Sequence, residues 1–272
     1  MTDAPQQAAP GRVVVLIPAL NEERSIAQVL DSVLALGLPI IMIDDGSEDR
    51  TAEIAAERPV TLIRHAQRGG KGNALRAGFR EALAQGYDGV LTMDADGQHV
   101  AADIPRILAA AARHPGHIVV GARIVNRHRQ PRYRRVANGF ADWGVGWACG
   151  QRLIDTQSGQ RYYPRAAVEC GDLASEGFVF ESDILIEAAW RRGVRVAAVP
   201  IESRYHAEFR RSHFRSLPDF LRITRHVVMK IVRAGCLWDN YRASRASPAL
   251  LVETPEAADA PAPVLDPSRG RT

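Results

Sequence analysis

The stretch VVVLIPALNEERSIAQVLDSVLALGLPIIMIDDGS, residues 13–47, decides the fold. Residues 13–17 are an unbroken apolar, β-branched run, the pattern of a strand buried on both faces of a parallel sheet. The run stops at Pro18. Ile26, Val29, Leu30, Val33 and Leu34 then recur at helical spacing, and Gly37 and Pro39 close that helix. Residues 40–43 form a second apolar run, followed at once by Asp44 and Asp45. Strand, helix and strand in so short a space read as one βαβ unit.

The alternation continues downstream. Ser47 predicts a cap for a helix running to about Glu57. Residues 60–63 read as a third strand, and Leu75, Gly78, Phe79, Ala82 and Leu83 mark the next helix. Residues 89–93 and 117–120 read as the fourth and fifth strands. This order predicts an α/β fold, a mostly parallel, Rossmann-like sheet with helices on both faces. In such sheets ligands sit outside the carboxyl ends of the strands. The chemistry is therefore expected at residues 18–22, 44–47, 94–96 and 121–123.

The sharpest of these is Asp94-Ala95-Asp96. Residues two apart in extended backbone point the same way. Two carboxylates so placed repel each other unless a cation joins them, and hard oxygen donors suit Mg²⁺ or Mn²⁺ held jointly with substrate phosphates. Gln98 and His99 follow just after Gly97 and can complete or flank that site. Asp44-Asp45-Gly46-Ser47 reads as a tight turn, with Asp44 or Asp45 also available to a base or ribose hydroxyl. Gly69-Gly70-Lys71-Gly72-Asn73 opens a helix, where glycines, a lysine and free amides can receive a phosphate. No G-x-G-x-x-G follows the first strand and no P-loop motif is present, which disfavours a dinucleotide cofactor and a P-loop NTPase.

Bulk composition bounds the rest. The chain has 272 residues, 46% of them hydrophobic and 24% charged, as in an ordinary globular protein. Cys149, Cys170 and Cys236 are far apart, so free thiols in a reducing compartment are expected. Neither a signal peptide nor an apolar run of spanning length is evident, and the expected location is cytoplasmic. The net charge is only +4, but six arginines, at 123, 127, 129, 132, 134 and 135, stand in one acid-free run. Such a run suits phosphates, nucleic acid or an anionic membrane. No aromatic stacking motif accompanies it, so nucleic acid is not expected as a partner.

Taken in order, the stretches IPALNEE, IDDGSEDRT, GGKGNALRAGF, MDADGQH, GARI, DTQSGQRYY and GFVFESDILIEA resemble the family 2 glycosyltransferases of GT-A fold, in particular the polyprenyl- and dolichyl-phosphate sugar synthases. The resemblance covers residues 12–215. It implies a nucleotide pocket made by Pro18, Asn21, Glu22, Asp44, Asp45, Lys71 and Asp94. It implies metal ligation by Asp94, Asp96 and Gln98, and a grip on an acceptor phosphate by Arg123, Arg134 and Asn138. Arg210, Ser212 and His213 resemble a late phosphate-binding segment. Three positions depart from the family pattern: Asn138 stands where Ser is frequent, Gln160 follows Ser158-Gly159 where Phe is frequent, and His213 stands where Lys is usual.

The implied reaction is displacement at the anomeric carbon of a nucleotide-sugar, UDP- or GDP-linked, with inversion. Asp96, Arg123 and Arg134 are the catalytic candidates. A polyprenyl phosphate acceptor is already an anion and needs positive groups rather than a base. A hydroxyl acceptor, on a glycolipid or a polyketide pigment, needs a carboxylate to take its proton, and Asp183 and Glu181 are the candidates. Both are equally suited to be acids at a helix N-terminus. A nucleotidyltransferase is the competing enzyme class, and residues 18–22 lack the glycine-rich basic loop usual there. A nucleotide-sugar-binding protein of weakened catalysis is the competing non-enzyme.

Residues 1–11 read as a flexible leader and 243–272 as a disordered tail. In the segment 216–242, Leu217, Phe220, Leu221, Val227, Val228, Ile231 and Val232 alternate with Arg222, Arg225, His226, Lys230 and Arg233. That is an amphipathic helix. It suits either the inner face of a membrane, as a peripheral contact, or the flank of the catalytic domain.

Overall fold

The computed structural model describes residues 11–125, 132–202 and 216–253. Seven strands form one sheet: β1 (Val13–Ala19), β2 (Ile40–Asp44), β3 (Thr61–Arg64), β4 (Gly89–Thr92), β5 (Ile118–Ala122), β6 (Arg161–Pro164) and β7 (Val196–Pro200). Their order is β3-β2-β1-β4-β6-β5-β7. All neighbouring pairs are parallel except those of β6, which runs antiparallel between β4 and β5.

Strand composition explains the layering. Alternate side chains of β1 enter opposite cores: Val13, Val15 and Ile17 on one face, Val14 and Leu16 on the other. β2 divides the same way, with Ile40 and Met42 against Ile41 and Ile43. The first face is covered by α1 (Ile26–Leu34), α2 (Thr51–Ala56) and α4 (Ile104–Arg113). The second is covered by α3 (Lys71–Ala84), α5 (Arg132–Cys149), α6 (Arg165–Val168), α7 (Val179–Arg192) and α8 (Ser216–Arg233). α3 lies so close to β1 that a Cβ on Gly78 would meet Leu16 Cδ1 at 2.1 Å.

Several local expectations change. β1 continues through Pro18 to Ala19. Its ladder with β4 ends at Leu16 opposite Thr92, so the missing N–H of Pro18 forfeits no strand bond. Ser47 does not cap α2, which starts at Thr51; its hydroxyl accepts from the N–H of Asn21 instead. β6 and β7 lie beyond the five expected strands.

The C-terminal segment is two helices, α8 and α9 (Trp238–Ala246), separated by a turn with positive φ at Gly235, Cys236 and Leu237. α8 packs on the domain: Ile223, Val227 and Ile231 are buried in the same core as α5 and α7. The expected tail is partly ordered. Beyond α9, Leu250 and Val252 exchange hydrogen bonds of 2.8 Å with Ala198 of β7, and Val252 is buried. The sheet edge left open by β7 captures this short apolar stretch. Among the described residues, no helix is long and apolar enough to cross a membrane.

Candidate active site

The carboxyl ends of β1, β2 and β4 open into one solvent-open cleft. Pro18, Glu22, Asp45, Lys71, Asp94 and Asp96 line it, together with Arg68 and Phe178, which the sequence did not single out.

Two charges dominate the floor. Lys71, the first residue of α3, places Nζ 2.6 Å from Asp94 Oδ1 and 3.1 Å from Glu181 Oε1. Burial opposes the charge on Asp94, but Lys71 and then His99 outweigh it and hold the carboxyl below its usual range. Burial likewise opposes the ammonium, and Asp94 and Glu181 raise Lys71 above the ordinary lysine value. Asp96 has no ion-pairing partner among the described residues. Burial, and then the charge of Asp94, push its pKa up. His99 is buried, with Nδ1 3.8 Å from Asp94 Oδ2, and burial drives its pKa down to about 4.

Among the described residues, no group of three or more His, Cys, Asp or Glu side chains is placed to hold a metal ion unaided. Gln98 contributes a backbone N–H to Asp96 Oδ1 at 3.0 Å. The donor set is therefore two hard carboxylates, of which Asp96 has no ion pair among the described residues and feels Lys71 only at longer range. This fits a divalent ion such as Mg²⁺ or Mn²⁺ whose remaining positions are filled by substrate phosphates and water.

Two expected pocket residues are braces beneath the cleft. Asn21, at φ 55°, accepts from Glu48 N–H at 2.8 Å while its own N–H donates to Ser47. Asp44 is fully buried, accepts from Ser47 N–H and pairs with Arg64 Nε at 3.1 Å. The Gly69-Gly70 loop already holds an anion of its own: Asp45 accepts from Gly69 N–H at 3.0 Å, Gly70 N–H at 2.7 Å and His65 Nδ1 at 2.9 Å. Those two amides are turned to Asp45, which corrects the expectation that they await a phosphate.

The expected acceptor groups divide. Arg123 is locked to Asp155, to which its guanidinium donates twice. Asn138 lies half-buried on α5. Arg134 belongs to α5, but its side chain lies outside the described residues, as do Arg210, Ser212 and His213.

The two candidate bases are both engaged. Asp183 does not line the cleft; it faces α8, 2.9 Å from His226 Nε2 and 2.5 Å from Lys230 Nζ. Burial opposes its charge, but His226 and Lys230 take its pKa to about 2. Glu181 is held under Lys71, with Arg161 4.0 Å away.

Arg161 is a functional neighbour that the sequence did not reveal. It is wholly buried, and its guanidinium donates to the carbonyls of Ser158, Glu181 and Thr156, each at 2.6 Å. It thereby ties the turn at residues 156–158 to the start of α7. Gly159 packs against the floor, where a Cβ would meet Asp94 Oδ2 at 2.2 Å.

Comparison with known proteins agrees with this architecture. A family model described as glycosyl transferase family 2 matches residues 14–174. Undecaprenyl-phosphate mannosyltransferase of Micrococcus luteus is 33% identical over 205 residues, spanning 70% of this chain and 82% of that one. UDP-N-acetylglucosamine–dolichyl-phosphate N-acetylglucosaminyltransferase of Methanococcus voltae is 30% identical over 219 residues, spanning 71% of this chain and 86% of that one. A crystal structure of glucosyl-3-phosphoglycerate synthase from Mycobacterium tuberculosis, in complex with Mn²⁺, UDP and glucosyl-3-phosphoglycerate, shares the fold. Its TM-score is 0.61 at 24% identity, over 83% of this chain and 80% of that one.

Proposed function

Because the chain belongs to glycosyl transferase family 2, we propose that it moves a sugar from a nucleoside-diphosphate donor to a polyprenyl phosphate, with inversion at the anomeric carbon. The observation that carries this reading is the acidic floor of the cleft. Asp94 and Asp96 stand side by side at the end of β4, with Lys71 between that pair and Glu181.

In this reading Asp94 and Asp96 hold Mg²⁺ or Mn²⁺. The ion, when bound, supplies positive charge to the leaving diphosphate. Lys71 adds a fixed positive charge beside the same group, and Pro18, Glu22 and Asp45 wall the nucleoside. Partial burial of the floor weakens the screening of these charges by water. Arg123 and Arg134 are assigned to supply positive charge to the acceptor's phosphate, with Asn138 on the same helix as Arg134.

The choice of acceptor rests on protonation chemistry. A phosphate monoanion or dianion attacks without losing a proton, whereas a hydroxyl needs a base. Asp183 is committed to α8 and held strongly acidic, and Glu181 is committed to Lys71. Neither is poised as a base, which supports the phosphate. The names of the Micrococcus and Methanococcus relatives support it too, since both act on a polyprenyl-type phosphate.

A lipid acceptor requires a bilayer within reach. We place the enzyme on the cytoplasmic face of the membrane, as a peripheral protein docked by the outer sides of α5, α8 and α9. Val136, Trp143, Leu221, Val228, Val232 and Trp238 are exposed there, beside exposed Arg222, Arg225 and Arg233.

Turnover tests the whole reading. UDP-glucose, UDP-N-acetylglucosamine and GDP-mannose are each supplied with Mg²⁺ or Mn²⁺, with and without undecaprenyl phosphate, and nucleoside diphosphate release is followed. Release that needs both divalent ion and lipid is expected, and it identifies the sugar. Asp96→Asn is expected to lower kcat by about 10²–10³. Release indifferent to the lipid, with product on a hydroxyl, would overturn the acceptor assignment.

A further inference from the structure

We propose that Lys71 is a built-in counter-cation for the Asp94 carboxylate, displaced onto Glu181 and the donor diphosphate when a divalent ion loads. The inference rests on the metal site proposed above and concerns how that site is kept and filled.

The geometry is specific. Lys71 Nζ lies 2.6 Å from Asp94 Oδ1, so it occupies one of the two carboxylate oxygens through which Asp94 would hold a divalent ion. Two cations crowded against one oxygen repel each other in this partly buried floor. Lysine is a point charge on a flexible stem, so it can leave without unfolding its surroundings. It also has somewhere to go: Glu181 Oε1 is already 3.1 Å away, and Arg161 bonds the backbone carbonyl of Glu181 at 2.6 Å and keeps that segment in place. The ring of Phe178, 5.6 Å from Nζ, faces the same ammonium and limits its excursion.

Two consequences follow. Without ligand, Lys71 neutralises Asp94, so the floor stays ordered although its carboxylates are adjacent. With ligand, a divalent ion alone must evict Lys71 without offering it a new anion, whereas an ion arriving with a diphosphate offers one. Ion and donor therefore bind cooperatively, each raising the affinity of the other by the same factor.

Mn²⁺ binding, followed by loss of the free-ion EPR signal, tests this without any turnover. For the full chain, Mn²⁺ affinity is expected to rise at least tenfold on adding UDP or GDP, within the usual range of such couplings. Lys71→Met removes the charge and keeps the bulk. It is expected to bind Mn²⁺ alone about tenfold more tightly, with the nucleotide-dependent gain correspondingly smaller. Glu181→Gln removes the alternative partner and is expected to weaken Mn²⁺ binding in the absence of nucleotide. Melting curves establish that each variant is folded, and if Lys71→Met is not, Glu181→Gln decides. Unchanged or weaker Mn²⁺ binding by folded Lys71→Met, or unchanged or tighter binding by Glu181→Gln, would overturn the role of Lys71. Failure of the unaltered protein to bind Mn²⁺ even with nucleotide would overturn the metal site itself, and this inference with it.

Discussion

Arg123 and Asp155 are joined by three hydrogen bonds: Nε to Oδ2 at 2.8 Å, an Nη to Oδ1 at 2.7 Å, and the Arg123 backbone N–H to Oδ2 at 2.7 Å. The fork of the guanidinium is matched to one carboxylate, as bidentate pairing requires. Burial opposes the charge of Asp155, but Arg123 outweighs it and lowers the carboxyl pKa. Asp155 itself sits at φ 51°, and its N–H donates to Asp142 of α5 at 3.0 Å. Arg123 is thus fixed in place by a chain of contacts that reaches the helix bearing Asn138.

Asp155→Asn should break this arrangement without blocking the backbone, since asparagine tolerates positive φ. It leaves the partly buried Arg123 beside a neutral amide, and the expected loss of stability is about 1–2 kcal/mol, read by urea denaturation. If Arg123 positions the acceptor, the KM for undecaprenyl phosphate rises while the KM for the donor stays. A variant that loses only stability, with both KM values unchanged, assigns Arg123 to the scaffold.

Gly159 is expected to be irreplaceable for activity. A methyl group there would overlap Asp94 Oδ2, at 2.2 Å, so either the turn or the carboxylate must move. The carbonyl of Gly159 is also held by the Thr92 hydroxyl at 2.8 Å, which leaves the turn little room. Gly159→Ala should therefore displace Asp94, cutting kcat by about 10²-fold, the loss expected when a catalytic group shifts by an ångström. Circular dichroism should be unchanged. Full activity in this variant would show that Asp94 can move freely.

The order of strands and helices was legible because each central strand is apolar on both faces, and that pattern survives without knowledge of its neighbours. The strand-end acids were legible for the same reason, since the topology places them. β6 was not. Its sequence, RYYP, carries a charge and a proline, and it becomes a strand only through β4 and β5 on either side. Nor does sequence betray Arg161, whose burial depends on carbonyls at residues 156, 158 and 181 converging in space. Asp44 and Asp45 show a finer limit. They are adjacent and chemically identical, yet Asp45 lines the cleft while Asp44 pairs with Arg64 outside it. Local pattern located the pair, and only the fold separated their roles.

Acid sensitivity should concentrate at the junction of α7 and α8. The folded-state pKa of Asp183 is about 2, below the ordinary 3.8, because His226 and Lys230 face it; Glu187 of α7 shares the same Lys230. A carboxyl depressed on folding stabilises the protein above its unfolded pKa and loses that stabilisation as the pH falls through the folded one. The window therefore runs from about pH 4 down to about pH 2, and the contribution at neutral pH is about 2 kcal/mol. Asp183→Asn should lower stability at pH 7 and flatten the stability curve across that window. An unchanged acid limb would mean that α8 is held by its apolar stripe alone.

The outer surface of α5, α8 and α9 yields the last prediction. Val136, Phe140 and Trp143 recur at i, i+4 and i+7 on α5, and all three are exposed. Phe140 meets Phe220 of α8 with ring centroids 6.0 Å apart, and Trp147 meets Trp238 of α9 at 5.6 Å, so the three helices present one aromatic ridge. Leu221, Val228 and Val232 form an exposed apolar stripe on α8, opposite the buried stripe that fixes this helix to the domain. A soluble surface rarely gathers so many large apolar groups. If this face meets a membrane, the exposed arginines of α8 should favour an anionic bilayer over a neutral one. The chain should sediment with vesicles containing phosphatidylglycerol, and less so with pure phosphatidylcholine or in high salt. Replacing Trp143 and Trp238 together by Ser should weaken that binding at least tenfold, about the transfer energy of one large buried side chain. Turnover of a water-soluble, short-chain prenyl phosphate should be unaffected. Undiminished vesicle binding would move the membrane contact elsewhere. Vesicle-independent dimerisation abolished by the same double substitution would instead make the ridge a contact between two copies of the chain.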